Sequence, residues 1–183
     1  MRDLDLTPLL KIKMAKRPRV RGRYNSSELY FINEGKLTPE EWINPKETDM
    51  QSVLRMWSGI GLHEQLEGLL GKEKSERKVE YQYKGMTLVG KVDYEPSAEE
   101  LWEFKTSDRK INNSKPWHDH QTKLYCSMFE KKMGAIYQPV KNKDGLYLKL
   151  LGSVTRDDEW FKEELDKLYA FHLKVEELWK LIN

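Results

Sequence analysis

Cysteine is almost missing: Cys126 is the only one in 183 residues. An intrachain disulfide is therefore excluded, and so is any site built from several thiolates, whether a Cys-rich zinc site or an iron–sulfur cluster. A metal, if the chain uses one, has to be held by oxygen and imidazole. Long apolar runs are missing as well; none approaches the roughly 20 residues that span a bilayer. The N-terminus lacks the apolar stretch of a secretory signal, so the expected location is the cytoplasm, with no membrane partner. Internal repeats and low-complexity linkers are absent, and nothing splits the chain. A composition of 38% hydrophobic and 34% charged residues suits one globular domain with room for a real core.

One stretch has no acid at all. The net charge is only +2, yet "KIKMAKRPRVRGR", residues 11–23, carries Lys11, Lys13, Lys16, Arg17, Arg19, Arg21 and Arg23. The segment from Asp157 onward is rich in Asp and Glu instead. A basic run attracts phosphates through counterion release and steers a nucleic acid towards what lies beside it; a solvated arm is the plainer alternative.

After the basic run, "SSELYFIN" predicts a short helix, and "TPEEW" places Thr38 as N-cap, Pro39 at the first helical position and Glu41 at the third. From about Thr48 to Leu70, Val53, Leu54, Trp57, Ile60, Leu66, Leu69 and Leu70 recur at helical spacing, and Gly71 is a stop. "RKVEYQYKGMTLVGKVDYEP" alternates on both sides of Lys84 and Gly85, which predicts a hairpin, and "ELWEFKTS" supplies a third strand. Residues 116–132 are predicted helical, with Trp117, Gln121, Leu124, Tyr125 and Met128 on one stripe and Gly134 as the stop. "AIYQPV" and "LYLKLLGSV" are two more strands around Asp144 and Gly145, and residues 157–182 a long amphipathic helix. The expected order is α, β, β, β, α, β, β, α. The expected division is residues 1–47 as basic arm and short helices and residues 48–183 as the main domain.

Residues two apart on a strand share a face, so Glu103 and Lys105 project together while Trp102 and Phe104 point the other way. The hairpin strand ending at Asp93 can lie alongside and bring a second carboxylate to the same edge. Two carboxylates and a lysine at one point suit a divalent cation, with the lysine orienting or helping to deprotonate a water. Acid, any residue, lysine also occurs at Glu34 and Lys36, Glu76 and Lys78, Asp108 and Lys110, and Glu130 and Lys132. Only Glu103 and Lys105 sit in an aromatic strand after a hairpin ending in Asp; the bland reading makes them the wet face of that strand. His63, beside the apolar stripe of the first long helix with Glu67 one turn on, is by itself more often a bonded core histidine than a ligand. Gln121, on a buried stripe with Tyr125 one turn on, needs polar partners.

In order, "GLHEQLE", "VDYEP", "EFK" and "QTKLY" resemble the His, Asp, Glu-x-Lys and Gln-xxx-Tyr motifs of the RecB-like branch of the PD-(D/E)XK nuclease superfamily, over about residues 50–140. The resemblance implies an α/β, restriction-endonuclease-like αβββαβ core and hydrolysis of DNA phosphodiester bonds with Mg²⁺ or Mn²⁺. It implies His63, Asp93, Glu103 and the Phe104 carbonyl as metal ligands, Lys105 as the group that positions and activates water, and Gln121 and Tyr125 as braces. The settings it implies are replication, recombination, repair or phage and virus DNA processing. Exonuclease and endonuclease action, and single- and double-strand preference, stay open. Many members of the branch carry a four-cysteine iron–sulfur cluster, which this chain cannot build. The region 26–33 would then be held by Leu29, Tyr30, Phe31 and Trp42 against the long helices.

Backbone phosphate contacts are expected from Arg17, Arg19, Arg21 and Arg23 and from Arg109, Lys110 and Lys115 in the loop after the third strand. His118 and His120 point roughly 200° apart on a helix, which argues against a shared metal; they could contact DNA beside Trp117 and Lys115, but exposure is the favoured reading, since helical charge is usually solvated. The C-terminal helix is expected to pack on the core. The function reading is a metal-dependent deoxyribonuclease; the alternative is a catalytically inactive nucleic-acid-binding module of the same fold.

Overall fold

The structure is a computed structural model that describes residues 19–46, 49–107, 111–143 and 145–182, without the side chains of residues 50, 57 and 142. A short strand β1 (Arg23–Asn25) leads into α1 (Ser26–Asn33), then α2 (Pro39–Ile43) and α3 (Met50–Leu70). The hairpin β2 (Lys78–Tyr83) and β3 (Met86–Lys91) precedes β4 (Glu100–Phe104). Then come α4 (Pro116–Met128), the hairpin β5 (Met133–Asn142) and β6 (Gly145–Thr155), and α5 (Asp158–Ile182). This is the expected α/β architecture, an αβββαβ core of mixed sheet flanked by helices, with helical elements at both ends of the described chain.

Local chemistry explains the boundaries. Thr38 accepts from the Glu41 amide at 3.2 Å while the Glu41 carboxylate accepts from the Thr38 amide at 3.3 Å, the reciprocal cap that the sequence predicts. Asp49 caps α3 by accepting from the Ser52 amide at 3.0 Å; the expected start at Thr48 lies outside the described residues. Lys84 and Gly85 both take positive φ, 46° and 82°, which makes the tight turn between β2 and β3. Asp144, expected in the other turn, lies outside the described residues.

The strands form two three-stranded sheets, in the orders β1-β3-β2 and β4-β5-β6, each mixing parallel and antiparallel pairs. An antiparallel bridge between Tyr94 and Trp102 joins them. The larger core lies between the sheets and helices α1, α4 and α5, around Tyr24, Leu29, Trp42, Leu88, Leu124 and Leu168. α5 buries Phe161, Leu165, Leu168, Phe171 and Val175, so it packs on this core as expected. Leu29 and Trp42 are fully buried, and Tyr30 and Phe31 pack against Trp117 with ring centroids 6.3 and 6.2 Å away. A smaller cluster, Leu66, Tyr94 and Phe104, lies under α3.

Candidate functional site

The site begins where the two sheets meet. β3 ends at Lys91, Val92 is buried, and the chain bends at Asp93 before Tyr94 pairs with Trp102. That bridge carries Asp93 alongside the end of β4. Its Oδ2 accepts from the Phe104 amide at 2.7 Å, so a side chain takes the place of a ladder carbonyl there. β4 continues in parallel register with β5, Glu103 opposite Ile136 and Phe104 opposite Tyr137.

The alternation read from the sequence sets the faces. Leu101 belongs to the larger core under α4 and Phe104 to the smaller cluster under α3. Glu103 is 2% exposed, so it is no wet strand face. Its Oε2 accepts from Lys105 Nζ at 2.9 Å, and its Oε1, also buried, has no partner. Burial first and the charge of Asp93 second push the Glu103 carboxyl up to about 7, against the opposing pull of Lys105.

Lys105 Nζ also donates to Gln121 Oε1 at 3.0 Å, and Gln121 Nε2 donates to the Tyr125 hydroxyl oxygen at 2.8 Å. Gln121 and Tyr125 are one turn apart on α4, so a single helix face presents both. The approach needs a glycine: a Cβ on Gly90 of β3 would stand 2.9 Å from Tyr125 Cε1. On the opposite side, α3 sets His63 Nδ1 3.5 Å from Asp93 Oδ1, with the His63 and Phe104 rings 6.1 Å apart. Burial opposes a charged imidazole, but Asp93, with Glu103 adding, outweighs it and holds His63 above its ordinary value. Glu67 turns instead to Glu76: burial first and that like charge second raise its carboxyl.

His63, Asp93, Phe104, Glu103, Lys105, Gln121 and Tyr125 thus form one connected set. One imidazole and two carboxylates, one of which keeps a buried oxygen with no donor, are the right chemistry for a hard divalent cation. Among the described residues, no three His, Cys, Asp or Glu side chains are gathered closely enough to hold a metal as they stand.

The described residues expected to contact phosphate have partners within the chain. Arg19 makes a two-pronged pair with Glu28 and donates to the Trp42 carbonyl, Arg21 pairs with Glu176, and Arg23 pairs with Glu80. Lys115 is exposed at the start of α4, its ammonium 4.8 Å from the Trp117 ring centroid. Arg17, Arg109 and Lys110 lie outside the described residues.

Two histidines read as exposed are not. His120 Nε2 lies 2.7 Å from Glu164 Oε2, and its ring packs against those of Tyr30 and Trp160, because α4 runs between α1 and α5. His118 is half-buried; burial first, then Lys105 and Lys115, push it down to about 4, so it is neutral at pH 7. Cys126 is fully buried, and burial pushes its thiol up to about 12, as suits an inert core residue. Sequence reasoning missed Ser26, whose Oγ donates to the Tyr125 hydroxyl oxygen at 3.1 Å, and Glu164; neither carries a local signal.

No protein-family model matches the chain, and a search of curated proteins finds none similar in sequence. Solved structures do resemble it. The alkaline exonuclease LHK-Exo of Laribacter hongkongensis, in its complex with dAMP, is 15% identical, with 88% of this chain and 92% of that one covered at a TM-score of 0.63. A phage-related exonuclease of Haemophilus somnus 129PT is 14% identical over 88% of this chain and 96% of that one, TM-score 0.59. SSO0001 is 16% identical over 90% of this chain and 83% of that one, TM-score 0.61. The chain shares the fold of these three structures, two of them named exonucleases, over most of its length.

Proposed function

We propose that the protein is a RecB-like, divalent-metal-dependent nuclease that hydrolyses phosphodiester bonds in DNA. The observation that carries this reading is Glu103: a fully buried carboxylate with one oxygen on Lys105 and the other on nothing, beside Asp93, in a fold shared with exonucleases. A structural role alone gives no reason to keep a buried acid half-bonded next to a like charge.

His63, Asp93, Glu103 and the Phe104 carbonyl would hold Mg²⁺ or Mn²⁺. When bound, the ion supplies charge neutralisation at the scissile phosphate and a more acidic water. The chain's own residues do the rest. Asp93 ties the end of β4 to the bend after β3 through the Phe104 amide. Lys105 has two protons on Glu103 and Gln121 and a third left for a water or a phosphate oxygen, which it orients. Gln121 and Tyr125 keep that ammonium aimed. Lys115, exposed beside Trp117, and the basic segments outside the described residues would hold the DNA backbone with little sequence preference.

Because two of the solved structures that share this fold are named exonucleases, degradation from a strand end is the first activity to test. End-labelled single- and double-stranded DNA is incubated with Mn²⁺, Mg²⁺ or EDTA, beside Lys105→Ala. Cleavage that needs the metal and disappears in the variant supports the assignment. DNA binding in EDTA with no cleavage under any condition replaces it with an inactive binding module.

A further inference from the structure

Ser26 opens α1 and is 2% exposed. A buried hydroxyl is costly unless it is bonded, and a serine at a helix start ordinarily bonds to the backbone of its own first turn. The residue before it, Asn25, holds the N-cap position without a side-chain cap bond, and the Ser26 hydroxyl reaches across 99 residues of sequence to the Tyr125 oxygen, 3.1 Å away.

That oxygen ends a chain that starts at the catalytic lysine. An ammonium has only donors, so Gln121 has to turn Oε1 towards Lys105 and Nε2 towards Tyr125. The phenol oxygen then receives a proton donor from each of two elements, Gln121 on α4 and Ser26 on α1. Burial first, with the charge of Glu103 adding, keeps the phenol protonated. β1, which leads into Ser26, runs parallel to β3, with Asn25 opposite Val89, one residue before the Gly90 that makes room for the Tyr125 ring. The position of Ser26 is therefore set by the strand on which the tyrosine rests.

We propose that Ser26 is a positioning residue of the nuclease site: its hydroxyl holds the Tyr125 phenol, which holds the Gln121 amide in the orientation that presents Oε1 to Lys105. The N-terminal β1–α1 unit is then a working part of the catalytic centre. This inference rests on the nuclease reading above.

The test is a double-mutant cycle on single-turnover DNA cleavage at saturating Mn²⁺, with Ser26→Ala, Tyr125→Phe and the pair, and with DNA affinity and thermal midpoint measured in parallel. Ser26→Ala is expected to slow cleavage about fivefold, the worth of one hydrogen bond, with KM and DNA affinity within about twofold of the parent. In the Tyr125→Phe background the same change is expected to cost nothing further, since the shared link is already cut. Ser26→Cys, similar in size but a poor hydrogen-bonding partner, should slow cleavage too and covers the case in which the alanine variant folds badly. A parent-like rate for both variants, or penalties that multiply in the double variant, overturns the inference while leaving the nuclease reading intact. An unmodified protein that cleaves nothing overturns both.

Discussion

Glu103 and Lys105 condense the residue-scale problem: charge kept inside a strand where it is costly. Trp102 and Phe104 point away from them because strand side chains alternate, and that much can be read from four consecutive letters. Burial can not, and it decides the chemistry, since the unbonded Oε1 and the neighbouring Asp93 make the carboxylate costly to keep ionised. Glu103→Gln is therefore expected to abolish metal-dependent cleavage while raising the thermal midpoint of the metal-free protein at pH 8 by a few degrees, about 1 kcal/mol. Nuclease assays and calorimetry check the two effects separately. Lys105→Ala should lower the cleavage rate by about 10²- to 10⁴-fold with DNA affinity in EDTA little changed, as expected when a proton-handling side chain is removed. Ser26 was illegible at this scale, because the hydroxyl it donates to lies 99 residues away.

At the scale of elements, period and caps served well for the helices and hairpins and failed at one end of α4. The helix stops at Met128, with Glu130 in a positive-φ turn, although the sequence predicts it to residue 132 with Gly134 as its stop. Gly134 is instead in β5, opposite Leu101, where a Cβ would stand 2.5 Å from Thr122 Cγ2 and 3.1 Å from Cys126 Sγ. Its missing side chain lets α4 lie close on the sheet, and that closeness brings Gln121 to Lys105. Gly134→Ala should cost about 1–3 kcal/mol by overpacking, measured by urea unfolding, and lower activity through the Gln121 contact. Adding Thr122→Ser, which removes the clashing methyl, should recover part of the stability. α3 departs in another way: Val53 and Leu66 are buried, but Leu54, Ile60 and Leu69, on the same expected stripe, are largely exposed. Among the described side chains, Leu66 with Leu62 and Leu70 packs into the small cluster beside Tyr94 and Phe104, and the apolar spacing overstated how many of Leu54, Ile60 and Leu69 the helix buries.

For the whole molecule, the joint between α1, α4 and α5 is held by a buried acid. Glu164 Oε2 accepts from Asn33 at 2.5 Å and lies 2.7 Å from His120 Nε2, while Oε1 accepts from Lys167 at 2.6 Å. Burial alone would raise this carboxyl, but the bonds from His120, Lys167 and Asn33 outweigh it and hold it at about 2. The folded value lies below the ordinary one, so the stabilisation is complete above about pH 4.5 and is lost as pH falls towards 2. Glu164→Gln should cost about 3 kcal/mol at neutral pH and flatten the loss of stability over that acid range, as followed by circular dichroism against pH.

The sequence by itself determined the class of fold, the hairpins, the capped helices and the pairing of Glu103 with Lys105 on one strand face, because each depends on spacing within a few residues. It also ruled out a thiolate-built centre, through a single cysteine. Tertiary structure alone decided that Asp93 bonds the Phe104 amide, that Gln121 meets Lys105, that the three described arginines of the basic run find carboxylates, and that Ser26 reaches Tyr125. Those contacts join residues from 9 to 155 positions apart, in different segments of the fold. Their partners are chosen by which surfaces the packed sheets and helices bring within about 3 Å, the reach of a hydrogen bond, and no local pattern of letters carries that information.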